Sequence, residues 1–534
     1  MSQDSIEMTP FGTRVPRQYV QEIQPNSGLK QRDGGSNGMI GSASNTGARY
    51  QMERKFGSLS ILALSITLLA SWESIASGFS EGLTNGGPAA LVWGMLLSIS
   101  GTMALAMSLG ELASICPLAG AQYHWTALLA PPKIRAFCTW MQGWITVFAW
   151  QAAGTSICFL VATQIQGLMI LNYPDYVYER WHGTLLMWAV MLVSLAINIF
   201  AVRSLPLLQL CGGIMHIAFF IVLVVPLVLL SPRSTSKFVF TQLLNENGWK
   251  SNGVAWCLGM LTVTYSLTGF DGALHMSEEV RNPAKVIPRI LIQTIAINGT
   301  LAFAFILVLL YCIGDVDTVM STPTGYPIIA ILYQTTGSVR AATAMQAAIT
   351  SVGFVSNIAF LASVSRLTWA FARDGGLPYS KFFAKVDGKY HIPFRSICLV
   401  SVITMVLSLI NIASTTALEA ILALTTSSIY VSYTIPVVLM LRKRLLHEPI
   451  TFGPWTMGRW GLAVNLYAIV YAIFVCIFVI FPTEVPVSAT NMNYSGPVFL
   501  GVLLFLICDW LVRGRGRYIG PLKELIQQAA QTDR

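Results

Sequence analysis

Charged residues are scarce in this chain: Asp, Glu, Lys and Arg make up only 11% of its 534 residues. A soluble globular domain carries about 25%. Hydrophobic residues reach 54%, which excludes an ordinary soluble fold. We therefore expect an all-α integral membrane protein.

The motifs of ATP-dependent and cofactor-dependent proteins are missing as well. Neither a P-loop lysine motif nor a Gly-rich dinucleotide fingerprint occurs, so ATP-driven pumping has no support. The nine cysteines form no CxxC pair, and the six histidines show no His-x-x-x-His spacing. Neither a disulfide framework nor a metal site is therefore expected. Because no nucleophile–base constellation is present either, the sequence predicts neither an enzyme nor a bound cofactor.

Apolar runs long enough to cross a bilayer are present along most of the chain. About 20 residues span the ~30 Å hydrocarbon core, and twelve runs of roughly this length occur. They lie at 58–83, 89–112, 139–168, 184–202, 207–230, 254–275, 291–313, 341–365, 396–413, 419–441, 462–481 and 496–512. We place the membrane domain at 57–512 and a short cytoplasmic tail at 513–534. Residues 1–56 are polar, contain no apolar run that could be a cleavable signal peptide, and are predicted to form a disordered cytoplasmic tail.

The cationic residues predict the orientation of these spans. With the amino terminus inside, 28 of the 33 Lys and Arg residues lie in inner segments and five in outer loops, and no span contains one. The positive-inside rule then places both termini in the cytoplasm. The net charge of +9 follows from this topology, so it requires no nucleic-acid partner.

Two of the spans carry a carboxylate where lipid would penalise it. Glu73 lies near the middle of the first span, and Asp271 lies between Gly269 and Gly272 in the sixth. An acidic residue at the centre of a spanning helix costs roughly 2.5–3.5 kcal/mol on insertion scales. Two interrupted spans about 200 residues apart are typical of a transporter built from inverted repeats, in which unwound backbone lines a polar cavity. We therefore predict that Glu73 faces such a cavity.

Three separated motifs resemble signatures of the amino acid–polyamine–organocation superfamily of permeases. They are GELASICPLAGAQYHW (Gly110–Trp125), GFDGALHMSEEVRNPAKVIPR (Gly269–Arg289) and SVSRLTWAFARDGGLP (Ser363–Pro378). The segments SWESIASGFSEGLTNGGP and GWITVFAWQAAGTSICFLVATQIQGL are most similar to the fungal branch of choline, GABA and amino acid permeases. This resemblance implies two inverted five-helix repeats with broken helices one and six, plus two peripheral helices. It also implies substrate bound between spans one, three, six and eight, and proton-driven uptake at a plasma membrane.

Candidate substrate-binding residues cluster around the two breaks and the spans expected to face them. They are Trp72, Glu73, Ser74, Ser77, Gly78, Trp150, Gln151, Tyr265, Gly269, Phe270, Asp271 and Tyr430. Each has a second interpretation. Glu73 could instead bond the backbone freed by its own break, Asp271 could cap the restarting helix, and most aromatic residues must simply pack or form interfacial belts.

Three further predictions concern residues outside this group. His216, in a fifth span without Lys or Arg, is a candidate for proton coupling because histidine titrates near neutral pH; its alternative is a buried histidine bonded to a neighbouring helix. Glu278, Glu279 and Arg281 are expected to form an inner gate or a loop-anchoring ion network. Asn493 begins a glycosylation sequon in the last outer loop.

The sequence as a whole predicts proton-coupled uptake of a small amine-bearing solute. Choline-like cations rank first because the first break, expected at Trp72–Ser77, offers an indole and a carboxylate. Permeases that bind an amino acid carboxylate typically have a Gly-rich run there. GABA and amino acids come next. The alternatives are an exporter or carrier of a specialised amine metabolite, and a non-transporting nutrient sensor. The predicted partners are this substrate, protons and the lipid bilayer.

Overall fold

The computed structural model describes residues 6–8, 14–16, 52–489, 491–518 and 520–521. Two short strands, β1 (Ile6–Met8) and β2 (Arg14–Pro16), pair antiparallel with Ile6 opposite Pro16. The prediction of disorder for residues 1–56 falls mainly on residues that the structure does not describe. Apart from β1 and β2, every long regular element in the described part is helical.

The helices follow one another with short connections. They are α1 (Ser58–Leu69), α2 (Ser71–Thr84), α3 (Gly87–Ile115), α4 (Gln122–Leu129), α5 (Arg135–Asn172), α6 (Arg180–Phe200), α7 (Leu205–Leu230), α8 (Ser236–Thr241), α9 (Asn252–Tyr265), α10 (Gly272–His275), α11 (Pro283–Tyr311), α12 (Val316–Met320), α13 (Pro327–Thr336), α14 (Val339–Arg373), α15 (Ser380–Phe383), α16 (Phe394–Ser408), α17 (Ile410–Ala413), α18 (Thr415–Leu445), α19 (Gly461–Phe478), α20 (Ser495–Asp509) and α21 (Arg515–Arg517). Single 3₁₀ turns lie at Val202–Ser204, Ser277–Glu279 and Gly458–Trp460, and a π-helical turn at Trp510–Gly514.

Eleven helical segments in the described part are long and apolar enough to cross a membrane. The sequence predicts twelve runs, and the difference arises at the sixth. There the chain forms α9, of 14 residues, and α10, of four, which are each too short to span alone. The predicted interruption of the sixth run is therefore present.

The first span is interrupted at a single residue. Ala70 adopts a left-handed backbone conformation (φ 42°, ψ 51°) between α1 and α2. The expectation that Trp72–Ser77 forms the unwound segment is wrong in this detail, because these residues are already helical in α2. Glu73 consequently lies in the first turn of α2, where the positive end of the helix dipole favours a carboxylate.

The broken helices lie inside the bundle. α1 packs on α7, α11 and α14, while α2 packs on α9 and α11. Outside this centre, α3 packs along α11, and α5 packs between α14 and α18. The residues around both breaks are therefore surrounded by protein, which is the condition under which irregular backbone is tolerated at membrane depth.

Candidate functional site

A cavity lies beside the break of the first span. Its volume is about 90 Å³, which is below the ~300–1,000 Å³ range of small-ligand sites, so the cavity is narrow in this conformation. Its walls come from α1 and α2, α5, the turn after α9, α14 and α18. The lining residues are Leu68, Leu69, Ala70, Glu73, Ser74, Ser77, Trp150, Ala153, Ile157, Leu160, Val161, Gln164, Tyr265, Thr268, Gly269, Ile349, Gly353, Ser356, Thr425 and Ile429.

Glu73 supplies the formal charge of this cavity, since the other lining residues are uncharged. Its side chain is buried, and its Oε1 lies 2.7 Å from Nδ1 of His216 on α7. Its Oε2 has no hydrogen-bond partner among the described residues. The indole N–H of Trp72 donates to the carbonyl of His216 (3.1 Å). The structure thus brings together two predicted site residues that are 143 positions apart.

Polar side chains from four helices are hydrogen-bonded to one another beside the cavity. Gln164 of α5 donates through Nε2 to the Ser77 hydroxyl (2.7 Å). Its Oε1 accepts a hydrogen bond from Thr350 of α14 (2.9 Å). Tyr265, at the end of α9, shares a hydrogen bond with Ser156 (2.7 Å). These bonds link spans one, three, six and eight, the set that the family resemblance implies for the substrate site.

Side chains of neighbouring helices form hydrogen bonds with the backbone groups at the first break. Asn298 of α11 accepts through Oδ1 from the Ser71 amide (3.4 Å) and hydroxyl (2.8 Å). Ser356 of α14 donates to the carbonyl of Leu68 (2.8 Å). Glu73 is not needed for this task, so the interpretation that it bonds the freed backbone loses its main support.

Asp271 lies immediately before α10 but makes no capping hydrogen bond. Its fully buried carboxylate accepts from the Tyr433 hydroxyl (2.5 Å), Gln122 Nε2 (2.6 Å) and Trp150 Nε1 (3.3 Å). His275 Nε2 lies 3.4 Å from its Oδ2. The interpretation of Asp271 as a helix cap is therefore wrong, and its side chain instead joins four other elements.

The predicted substrate-binding residues divide into two groups. Six of them line the cavity: Glu73, Ser74, Ser77, Trp150, Tyr265 and Gly269. The others face neighbouring helices. Trp72 packs against Phe220 and Phe305, and Phe270 packs against Tyr433. Tyr430 packs against Tyr471, Gly78 faces Thr262, and Gln151 is buried outside the lining.

Ion pairs join the segment after α10 to the end of α14. Glu278 is held by Arg373 through two bonds of 2.9 and 3.1 Å, and also accepts from the Ala119 amide (3.1 Å). Burial raises the pKa of the Glu278 carboxyl, but Arg373 and the Ala119 N–H outweigh it and hold the pKa below its usual value, so the group stays ionised at neutral pH. Glu279 pairs with Arg366 (2.8 Å).

Two details of the predicted ion network need correction. Arg281 is exposed and its backbone amide contacts Phe56 (3.4 Å), whereas the glutamates pair with arginines of α14. Arg366 follows the predicted eighth span, 341–365, but the helix continues past it, so Arg366 lies within α14 and is only 1% exposed. A cation is accepted there because Glu279 compensates it.

Several important residues escaped the sequence analysis. Asn298, Gln122, Gln164, His275 and Tyr433 carry the contacts described above. The available signal was a polar residue inside an apolar run, which singles out Asn298 and Gln164. For Gln122 and Tyr433, no local pattern indicates the partner.

Asn493 lies just before α20, and its Nδ2 donates to the carbonyls of Val479 (2.8 Å) and Phe481 (2.9 Å). A glycan on this nitrogen would replace one of its two hydrogens and so break one of these bonds. Glycosylation at Asn493 stays a prediction, to be checked by the electrophoretic shift after glycosidase treatment.

A multi-span helical bundle with a partly polar cavity beside an interrupted helix defines a membrane transporter. Comparison with known proteins gives the family. Residues 56–505 match the amino acid permease family, and the chain belongs to it; this is a family of transporters, not of enzymes. The resemblance to the amino acid–polyamine–organocation superfamily is thereby confirmed.

Individual relatives are distant but cover most of the chain. The choline transporter of Saccharomyces cerevisiae is 30% identical, over 88% of this chain and 83% of the relative. An amino-acid permease of Arabidopsis thaliana is 28% identical, over 90% and 95%. The GABA-specific permease of Saccharomyces cerevisiae is 27% identical, over 90% and 85%.

Proposed function

We propose that this permease takes up a small amine-bearing solute by proton coupling, with choline-like cations as the first candidates and GABA and amino acids next. The observation that carries this proposal is the charge of the cavity. Glu73 is its charged lining residue, and one oxygen of the carboxylate has no hydrogen-bond partner in the part of the chain that the structure describes. A cationic group on the substrate fits this oxygen.

Trp150 supports the preference for a cation. Trp150 lines the same cavity as Glu73, and an aromatic face attracts an ammonium group by about 2 kcal/mol or more when both are desolvated. The lining offers no Lys or Arg that would bind a substrate carboxylate. The name of the choline transporter among the relatives agrees with this preference.

The proposed topology has twelve spans, with the sixth made of α9 and α10, arranged as two inverted five-span repeats and two further helices. We define the basic face as the end of the molecule that carries Arg373, Lys381–Lys389 and Arg442–Arg444. By the positive-inside rule this face and both termini are cytoplasmic, in a plasma membrane. A monovalent cation moving inward then gains about 2.3 kcal/mol per 100 mV of membrane potential.

The ion pairs at the basic face give the proposed gate. Glu278–Arg373 and Glu279–Arg366 tie the sixth span to the eighth. Release of substrate toward this face requires the two spans to separate, so these pairs must open or move together during transport.

The test is a Glu73→Gln variant assayed with labelled choline, GABA, polyamines and amino acids in cells that lack their own carriers. Glutamine can still accept from His216 but removes the charge. Charge-assisted bonds are roughly twice as strong as neutral ones, so the loss is about 1.5–3 kcal/mol. Affinity for choline should fall about ten- to a hundredfold at an unchanged surface level.

Glu246→Gln is the matched control. Glu246 lies in the segment between α8 and α9, is exposed, and does not line the cavity. The variant removes one carboxylate away from the site and should leave choline affinity unchanged. If Glu73→Gln binds choline as tightly as the parent, the cationic substrate is wrong and a zwitterionic amino acid becomes the better candidate.

A further inference from the structure

In each of the two broken spans, an aromatic residue followed directly by an acidic residue contacts the ring of a side chain on another helix. In the first span Trp72-Glu73 meets His216 of α7, with ring centroids 6.0 Å apart and the carboxylate bonded to the ring nitrogen. In the sixth, Phe270-Asp271 meets Tyr433 of α18, with ring centroids 5.0 Å apart and the carboxylate bonded to the phenol. α7 and α18 form the fifth and tenth proposed spans, so the two arrangements occupy equivalent places in the proposed repeats. The second acid also has a histidine beside it.

The contacts of His275 specify which of its nitrogens carry hydrogen. Its Nδ1 lies 2.8 Å from the carbonyl oxygen of Ala119, which can only accept, so Nδ1 is protonated. In a neutral His275 the unprotonated Nε2, which has no hydrogen-bond partner among the described residues, would then lie 3.4 Å from Oδ2 of Asp271. That contact is repulsive. A proton on Nε2 turns it into an ion pair, so this arrangement is built to hold one proton.

His216 has the opposite requirement. Its Nδ1–H donates to Glu73 in the neutral state, and that bond is already short at 2.7 Å. Its Nε2 is buried without a hydrogen-bond partner among the described residues, as is Nε2 of His275, but of these two nitrogens only His275 Nε2 lies within ion-pair distance of a carboxylate. A proton on His216 Nε2 would therefore gain neither an acceptor nor a counter-ion at that nitrogen. The contacts therefore suit a neutral His216 and a protonated His275.

We propose that Asp271 and His275 form the proton-binding site of this permease and that Trp150 connects it to the substrate cavity. This inference rests on the proposed function of proton-coupled transport. The Trp150 indole lines the cavity, and its Nε1–H donates to Asp271 Oδ2 (3.3 Å). Trp150 thus contacts both the cavity that would hold the amine and the carboxylate that would face the bound proton. The proton arrives from the outer solution, is held on His275 Nε2 against the Asp271 carboxylate, and leaves on the other side of the membrane.

The surrounding charges compensate one another. The Ala119 amide binds Glu278, whose carboxylate pairs with Arg373, and Glu279 pairs with Arg366. Further out, Asp374 faces His124 (3.2 Å) and Arg373, and accepts from Tyr123 (2.7 Å). From α18 the facing titratable group is Tyr433, and from α4 the facing polar group is Gln122. Binding of a proton at Asp271–His275 therefore changes the net charge of this region by one.

The transport test uses the full-length protein in phosphatidylcholine–phosphatidylglycerol vesicles, with labelled choline and labelled GABA as probes. Exchange at equal pH on both sides reports binding and movement without coupling. Accumulation under an inward proton gradient, with the membrane potential clamped at zero, reports coupling. His275→Gln should keep exchange but lose accumulation, so that the inside-to-outside ratio falls to about one. The matched control is His447→Gln, which changes an exposed histidine in the loop after α18 and should keep pH-driven accumulation. His216→Gln is measured in the same way.

A second measurement does not depend on transport. Side-chain ¹⁵N NMR of the purified protein at neutral pH distinguishes doubly protonated from neutral imidazoles. The signal of a doubly protonated imidazole should disappear in His275→Gln, and the signal of a neutral imidazole with hydrogen on Nδ1 should disappear in His216→Gln. The inference is overturned if NMR shows a neutral His275, or if His275→Gln keeps its pH-driven accumulation. If only His216→Gln loses accumulation, the coupled proton is instead bound at His216. If no probe is exchanged by the parent, the proposed function fails while the NMR result still decides the proton site.

Discussion

Buried charges in this permease occur in specific pairs. Glu279 and Arg366 are both nearly inaccessible, and each is the ionic partner of the other. Removing both charges from water costs several kcal/mol per ion, and the pair is tolerated because the two groups attract each other at 2.8 Å. Loss of one partner therefore has a larger effect than loss of both.

The first prediction follows from that pair. Arg366→Met should leave Glu279 buried without its cation and destabilise the protein by roughly 3–5 kcal/mol. The double variant Arg366→Met with Glu279→Leu should recover much of this loss. Thermal unfolding of the purified protein in detergent measures both. Arg281→Met is the control, because Arg281 is an exposed cation near the same site; equal stability of Arg366→Met and Arg281→Met would contradict the argument.

At the scale of elements, the interrupted helices need support from their neighbours. A break frees backbone groups that lipid cannot satisfy. α11 supplies Asn298 and α14 supplies Ser356 to the two sides of the first break. The break itself is held at Ala70, a residue whose side chain disfavours the left-handed conformation that it adopts.

Replacement of Ala70 should show this strain directly. A left-handed residue other than glycine costs roughly 1–2 kcal/mol, and Ala70→Gly removes this cost. Glycine also has more conformational freedom in the unfolded chain, which offsets part of the gain. The free energy of unfolding should therefore rise by up to about 1 kcal/mol. Ala70→Val should lower it, because a β-branched side chain is worse at positive φ. The midpoints of thermal unfolding test both changes. A stabilised Val variant would show that Ala70 is not strained.

Asn298 gives the second prediction at this scale. Asn298→Ala removes the side-chain acceptor of the Ser71 amide inside the bundle, while the Ser71 hydroxyl can still donate to the backbone carbonyl of residue 298 (3.0 Å). Leaving a buried donor unpaired costs about 1–3 kcal/mol, so the surface level and thermal stability of the variant should fall. Thr300→Ala, an exposed change on the same helix whose hydroxyl bonds only its own backbone, should leave both near the parent. An unaffected Asn298→Ala would mean that another group takes over at the break.

For the whole molecule, the distribution of cations predicts the orientation in the membrane. An epitope tag on the amino-terminal tail or in the Lys381–Lys389 loop should be accessible only after the cells are permeabilised. A tag near Asn493 should be accessible in intact cells. The reason is the split of 28 inner against five outer basic residues. Labelling of the Lys381–Lys389 loop from outside would reverse the proposed topology.

Local patterns in the sequence were sufficient for the membrane class, most of the spans and the presence of an interruption in the first and sixth spans, although the first interruption lies at Ala70 and not at Trp72–Ser77. Long apolar runs reflect the thickness of the bilayer, and small residues beside a carboxylate mark helices that cannot be continuous in lipid. Both are properties of neighbouring residues. Glu73, Ser77 and Trp150 were predicted as site residues for this reason, and they line the cavity.

Only the tertiary structure decided which side chains meet. Trp72 and Glu73 are adjacent, yet one packs against Phe220 and Phe305 while the other lines the cavity. The rotation of α2 about its axis sets this difference, and that rotation depends on packing with α9 and α11 rather than on the local sequence. The same holds for the meeting of Asp271 with His275 and Tyr433. Partners from distant segments come within hydrogen-bond reach only once the helices are placed, because a sequence specifies spacing along one helix but not the distance between two.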